Sequence, residues 1–395
     1  MYSFVSTSVL LSLSVYFSLS LSAPSSPLTL DPRMGSYGED NDSPLCPKFR
    51  NFTALTIQDD FYGARDISYF VTNTGRVIVD GDVLYDGTED QLLGRRKGQG
   101  GNYKPRSFSN NNRKWPGGKL RYKYASNDAE TKLKAIVDEA IKRWKTGAPY
   151  LTFERVMPNS NAGENGVLTI SATECDGCHS TIGYLNSDRR MNLQQACPSG
   201  GGQCGANTAT HEFGHALGLI HEHQRPDRES YVHYNCKNLD PGCNNIPAGK
   251  TCCDSGLPAG CCTKRGNFDI LTDAALDHTG KYDVGSIMHY RRNSFAISGK
   301  ETLTSAAAGI VVPSTNAANP DQTDFDRICK IYSAQCDKVQ QCKNNGCPAN
   351  CATFLPCPSG TKCFGAPEPP FCCEAEALNK ACEAKKQKCK QLGCD

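Results

Sequence analysis

Apolar and polar positions alternate through residues 119–125 (KLRYKYA), the period of two expected of a strand with one buried face. The period then lengthens. Leu133, Ile136, Val137, Ala140, Ile141 and Trp144 return at helical spacing, which predicts a helix over 128–145 with a single apolar stripe. Asn127 stands at its N-cap, Glu130 three residues on is the reciprocal partner, and Gly147 is placed to end the helix. Residues 151–156 and 166–172 read as two more strands. The pattern predicts a sheet with a backing helix, the framework of an α+β fold.

The chain opens differently. Residues 1–23 carry no charge, are rich in Leu, Val, Phe and Ser, and have small residues at Ser20, Ser22 and Ala23; they read as a signal peptide rather than a membrane span. Composition agrees. Of 395 residues 23 are cysteine, which in a reducing compartment would be free thiols, so disulfides and a secreted, extracellular protein are expected. A zinc–thiolate array would show repeated Cys-x-x-Cys pairs, and only Cys175 and Cys178 have that spacing. The net charge of +2 gives no electrostatic case for nucleic acid. No later stretch is long and apolar enough to cross a bilayer, so no membrane partner is expected once the signal is removed. Asn41 and Asn51 open Asn-x-Ser/Thr sequences, which suggests a glycoprotein.

Charge and cysteine divide the remainder. Residues 31–94 hold twelve acids against five bases, whereas 95–123 hold ten Lys/Arg and no acid. A reversal running through Gly98, Gly100, Gly101 and several Asn marks an exposed linker, with Arg95-Arg96-Lys97 and Arg106 as natural cuts for an activating protease. Six cysteines crowd residues 236–262, and ten more occupy 342–394, a tail too poor in large aliphatics to fold by burial alone. The resulting boundaries are 1–23 signal peptide, 24–105 pro-segment and activation linker, 106–336 catalytic domain, and 337–395 cysteine-rich module.

The chemistry lies in Thr210-His211-Glu212-Phe213-Gly214-His215-Ala216-Leu217-Gly218-Leu219-Ile220-His221. On a helix His211 and His215 leave one face, and Glu212 sits where its carboxylate reaches a metal-bound water without being a ligand. Were the helix to continue, His221 would stand about 15 Å from His211 along the axis. Gly218 resolves this, because glycine accepts the left-handed conformation that ends a helix and turns the chain back. Three imidazoles then hold one Zn²⁺ with a position left for water, the catalytic type of site. Three histidines, the acid and the glycine match the extended metzincin pattern, and Met288 in Ser286-Ile287-Met288-His289-Tyr290 supplies the hydrophobic floor beneath them.

Residues 211–228 (HEFGHALGLIHEHQRPDR), Tyr231 and the SIMHY run resemble the astacin family of zinc endopeptidases. Trp115-Pro116-Gly117-Gly118 resembles the start of that family's mature domain, and 324–332 its last helix; the resemblance covers about 106–336. It implies a two-subdomain metzincin fold: a twisted sheet with backing helix and zinc helix, then an irregular C-terminal subdomain. By the same resemblance His211, His215 and His221 bind zinc and Glu212 is the general base. Tyr290 is a further ligand that swings away to stabilise the oxyanion, and Glu222 anchors the new mature N-terminus. Arg225 and Asp227 are structural. Val79-Asp80-Gly81-Asp82-Val83 resembles the pro-segment motif whose aspartate, here Asp82, blocks the metal's open position; the residues alone read as a plain Gly-Asp turn.

The resemblance also implies a bridge between Cys178 and Cys204, leaving Cys175 and Cys197 as an extra pair. The cysteine expected near Tyr150 as partner of Cys336 is missing, so Cys336 pairs with Cys329 or within the tail. Excluding Cys46, 22 cysteines remain to pair. Residues 236–262 read as a stapled insertion. The expected activity is hydrolysis of protein or peptide substrates by a secreted zymogen, released by linker cleavage. The alternative is an inactive secreted protein that binds an extracellular partner through its tail; it would need a broken motif, and every chemical position is intact.

Overall fold

The structure, a computed structural model, describes residues 52–59, 63–94, 113–157, 165–172, 175–195, 202–271 and 280–337, with Gln387 and Gln391. The expected signal peptide, the glycosylation sites, Cys46, the linker and nearly all of the C-terminal module lie outside the described residues.

The alternating runs build one sheet. Its central strands β5 (Lys119–Tyr124), β6 (Thr152–Arg155), β7 (Leu168–Ser171) and β9 (Arg189–Leu193) pair in parallel, and β8 (Cys178–Ser180) closes that part antiparallel to β9. The sheet does not stop at β8. Four strands of the acidic segment, β1 (Thr53–Asp59), β2 (Gly63–Val71), β3 (Val77–Val79) and β4 (Val83–Leu84), continue it as an antiparallel meander, giving the order β1-β2-β3-β4-β8-β9-β7-β5-β6. Val83 pairs in parallel with Ser180, and the Ser180 amide donates to the Asp82 carbonyl at 3.0 Å. None of these four strands was expected, although Leu55 and Ile57 point to one face with a period of two. Ile57, Ile67, Val77, Val79 and Val83 are buried in one cluster with Ile182 and Leu271 of the following domain. Each such side chain contributes roughly 1.5–3 kcal/mol on burial. A short helix, α1 (Glu89–Leu93), ends this segment.

The backing helix α2 (Asn127–Gly147) buries Leu133, Val137, Ala140 and Trp144 as its stripe predicts. Its cap differs by one residue: Ser126, not Asn127, accepts the Ala129 amide at 3.1 Å. Gly147 is the helix's last residue for a packing reason, because the Phe325 ring occupies the space a Cβ would take. Trp144 reaches across to the Thr210 carbonyl of α3 (Ala206–Leu217) at 2.8 Å. Beyond α3 regular structure is sparse, as the irregular subdomain implied: the β10 (Val232–Tyr234) and β11 (Leu303–Ser305) pair, short 3₁₀ turns, and α4 (Gln322–Ile331). Disulfides Cys236–Cys253, Cys243–Cys261 and Cys252–Cys262 staple the insertion to itself. Cys178–Cys204 forms as implied, and Cys329 is the partner of Cys336. Cys175 is also disulfide-bonded, and Cys197 lies outside the described residues. Among the described residues no helix is long and apolar enough to cross a membrane.

Candidate metal centre

The centre begins at the C-terminal end of α3. A helix leaves its last four carbonyls without intrahelical donors, and here each finds one. Gly214 receives the Leu219 amide, His215 the amides of Gly218 and Gly183, Ala216 the Trp115 indole at 2.7 Å, and Leu217 the Tyr332 hydroxyl at 3.0 Å. Trp115, from the expected domain start, and Tyr332, after the last helix, thus fix where α3 stops. Gly218 then turns the chain with φ +112°, as expected. His221 comes back beside the other two histidines, its ring centroid 5.4 Å from that of His211 and 4.8 Å from that of His215.

All three histidines and Asp82 are fully buried, and their donor atoms lie within 4.8 Å of one another. Asp82 Oδ1 is 3.0 Å from His221 Nε2 and 3.4 Å from His215 Nε2, and Oδ2 is 3.4 Å from His211 Nε2. Tautomers follow from the outer contacts. His211 Nδ1 meets the Ile287 carbonyl at 2.7 Å and His215 Nδ1 the Leu219 carbonyl at 2.9 Å. A carbonyl only accepts, so both protons sit on Nδ1. Burial lowers the His211 pKa to about 4, keeping the ring neutral. The two Nε2 lone pairs therefore face each other at 3.1 Å. Two lone pairs at that distance repel unless a cation lies between them and the carboxylate. Three imidazole nitrogens and one carboxylate oxygen are a donor set that fits Zn²⁺.

Glu212 is fully buried beside His211, and neither oxygen has a hydrogen-bond partner among the described residues. Burial raises its pKa, and the Asp82 charge raises it further. For Asp82 burial acts upward, but the three imidazoles outweigh it and hold the carboxyl well below its usual range.

The methionine turn lies beneath. Met288 Sδ packs within 2.6 Å of where a Gly214 Cβ would stand, so α3 needs glycine between its two histidines. The turn is held by a residue whose role spacing could not show: Asp324 of α4 accepts from Ser286 Oγ at 2.6 Å and from the Ile287 amide at 3.0 Å. Its partners lie 38 and 37 residues away, beyond any local signal. Tyr290 stacks on the buried His223 ring at 3.9 Å and donates its hydroxyl to the Asp80 carbonyl at 3.0 Å. Asp80 (φ +54°) and Gly81 (φ +99°) form the tip of the turn presenting Asp82, and a Gly81 side chain would strike that hydroxyl. Glu222 is buried against Arg327 at 2.5 Å and Arg225 at 3.4 Å, and accepts the Asp283 amide at 2.9 Å. Arg225 also pairs with Asp227 at 2.7 Å. The structure thus gathers His211, His215, His221, Asp82 and Glu212, with Met288 below and Tyr290 alongside; Glu222 stands behind, in an ion cluster of its own.

Residues 107–246 match the family model for Astacin, a peptidase family. Zinc metalloproteinase nas-32 of Caenorhabditis elegans is 26% identical over 72% of this chain and 38% of its own length. Protein SpAN of Strongylocentrotus purpuratus is 27% identical over 65% of this chain and 36% of its own. Among solved structures, High choriolytic enzyme 1, a hatching enzyme zinc-protease from Oryzias latipes, aligns with 24% identity and a TM-score of 0.42 over 58% of this chain and 98% of that one. The chain thus spans less than two-fifths of the length of the two curated relatives named. On its zinc motif, its methionine turn and the matched residues 107–246, the chain is similar to the astacin family of zinc-dependent metzincin peptidases.

Proposed function

We propose that this chain is a secreted zinc endopeptidase made latent by its own N-terminal segment. The observation that carries the reading is the buried trio His211, His215 and His221, with converging Nε2 atoms beside an unpartnered Glu212 carboxylate. A zinc ion held by His211, His215 and His221 would supply Lewis-acid activation of water near neutral pH. Glu212 would take a proton from the attacking water as the new C–O bond forms and deliver it to the leaving amine as the C–N bond breaks. The Tyr290 hydroxyl, once free of the Asp80 carbonyl, donates to the developing oxyanion. Protein or peptide chains are the substrates.

Latency has a physical basis in the same contacts. The Asp82 carboxylate fills the space the water needs, Asp80 engages Tyr290, and β4 occupies the edge of β8. An activating protease cutting within the basic stretch 95–112 severs the tether. Residues 24–105 are then the pro-segment and linker, 106–336 the catalytic domain, and 337–395 a module for an extracellular partner. The cluster around Glu222 suits the cationic terminus created by the cut. Five disulfides with both cysteines among the described residues, and the bonded Cys175, support an oxidising destination.

The test uses protein cut in the linker and separated from its segment. It should digest a denatured protein, lose this with a zinc chelator and regain it with Zn²⁺. Glu212→Gln should lower the rate by about 10²–10⁴ with zinc content unchanged. Undiminished hydrolysis by Glu212→Gln would refute the assignment.

A further inference from the structure

We propose that the 3₁₀ turn Thr263–Phe268 and Asp269, held in place by the cysteine-stapled insertion before them, are a second holdfast for the N-terminal segment, so that cutting the linker alone leaves the segment bound and the enzyme inhibited. This rests on the latent-peptidase reading above for its consequence, but the binding claim stands on separate contacts. The disulfide Cys252–Cys262 ends the insertion at the residue just before the grip, the 3₁₀ turn Thr263–Phe268. That turn meets the backbone of β2. A Cβ on Gly266 would overlap the Ile67 carbonyl carbon and lie 2.5 Å from the Ser68 nitrogen, so glycine is what permits the approach. Directly after the turn, Asp269 Oδ2 accepts the Asp66 amide at 2.7 Å. Before it, the Lys264 ammonium lies between two aromatic faces, 5.4 Å from the Phe52 ring of the segment and 4.9 Å from that of Phe295.

None of these contacts involves Asp82 or the histidines, and none lies in the linker. The stapled loop itself stands back from β1 across a groove of about 240 Å³ between Leu55 and Leu257, so the grip comes from 264–269 and the disulfides hold that turn in place. The far end of the segment has an anchor of the same kind. The Asp86 side chain, 8% exposed, lies between Arg113, at 2.5 Å, and Arg189. Arg113 follows the linker and stays with the catalytic part after a cut in 95–112. The partner that fits this surface is therefore the chain's own severed segment, held at both ends and plugged in the middle.

The experiment is limited tryptic cutting of the full chain in its linker, followed by native size-exclusion chromatography with gel analysis and a peptidase assay. In the wild type the cut segment should co-elute with the catalytic part, with hydrolysis below one-tenth of that reached after the segment is stripped in mild urea. Gly266→Ala and, separately, Asp269→Ala should speed loss of the segment at least tenfold, with zinc content and free-thiol count as in the wild type. Gly266 has no positive φ, so its backbone tolerates alanine and only the segment objects. Spontaneous separation of the cut wild type, or dissociation from both variants no faster than wild type, overturns the proposal. If the segment leaves the variants faster but no hydrolysis follows, the holdfast stands and the peptidase reading fails.

Discussion

Asp82→Asn isolates the charge of the plug from its shape. The side chain is fully buried, and its two oxygens lie 3.0–3.4 Å from three imidazole nitrogens. Asparagine keeps the outline and leaves the backbone bond from Ser180 intact, but it opposes no negative charge to the cationic centre those nitrogens form with zinc. Removing one partner of a buried charge pair costs about 3–5 kcal/mol. At about 1.4 kcal/mol per tenfold, the plugged state weakens by roughly 10²- to 10³·⁵-fold. The strand pairing, the apolar cluster and the Asp86 anchor remain, so the segment stays folded and tethered while its tip lifts more often. The assay is hydrolysis of a quenched fluorescent peptide by the uncut chain, referenced to the same protein cut and stripped of its segment. The uncut variant should be at least a hundredfold more active than the uncut wild type. If it is as silent as the wild type while its stripped form hydrolyses normally, the carboxylate charge is not what keeps the enzyme latent.

Two further outcomes follow from buried groups. Gly218→Ala places a side chain at φ +112° with no steric obstacle nearer than Ile331 Cδ1 at 3.6 Å, so the cost is backbone strain of about 1–3 kcal/mol. Thermal unfolding should shift down accordingly and zinc should bind more weakly because His221 is displaced; an unchanged midpoint and affinity would contradict the role given to this turn. His179 on β8 is fully buried with both ring nitrogens unpartnered among the described residues; burial first, and Arg76 second, lower its pKa to about 3. The unfolded chain, with the ordinary value near 6.5, therefore binds more protons between about pH 3 and 6.5. Its contribution to stability is complete above pH 6.5 and falls by up to about 1.4 kcal/mol per unit as pH drops through that window. In urea unfolding from pH 6.5 to 4.5 the wild type should lose more stability than His179→Gln; parallel curves would refute the shift.

How much was legible in the sequence depended on distance along the chain. The helix over 128–145 and the strands near 119–125, 151–156 and 166–172 were readable because side-chain period is a local property, and they were misplaced only at the ends, where Ser126 rather than Asn127 takes the cap. Of the strands of the acidic segment, β3 and β4 were not legible because they are three and two residues long and acquire their pairing from β2 and β8, whereas β1 and β2, seven and nine residues long, are of readable length. Asp324, Arg113 and Arg189 act on groups 27 to 103 residues away, so no spacing rule finds them.

By itself the sequence determined the donor chemistry: two imidazoles one helical turn apart, a carboxylate beside the first, and a glycine able to turn a third back. These are consequences of helix geometry and of glycine's missing side chain. Tertiary structure alone decided that Asp82 lies among those imidazoles, that Tyr290 is held by Asp80, and that Gly266, in the turn after the stapled insertion, meets the backbone of β2. The physical reason is that a plain Gly-Asp turn reaches the three imidazoles only when strand pairing and apolar burial carry it across the chain to that cavity.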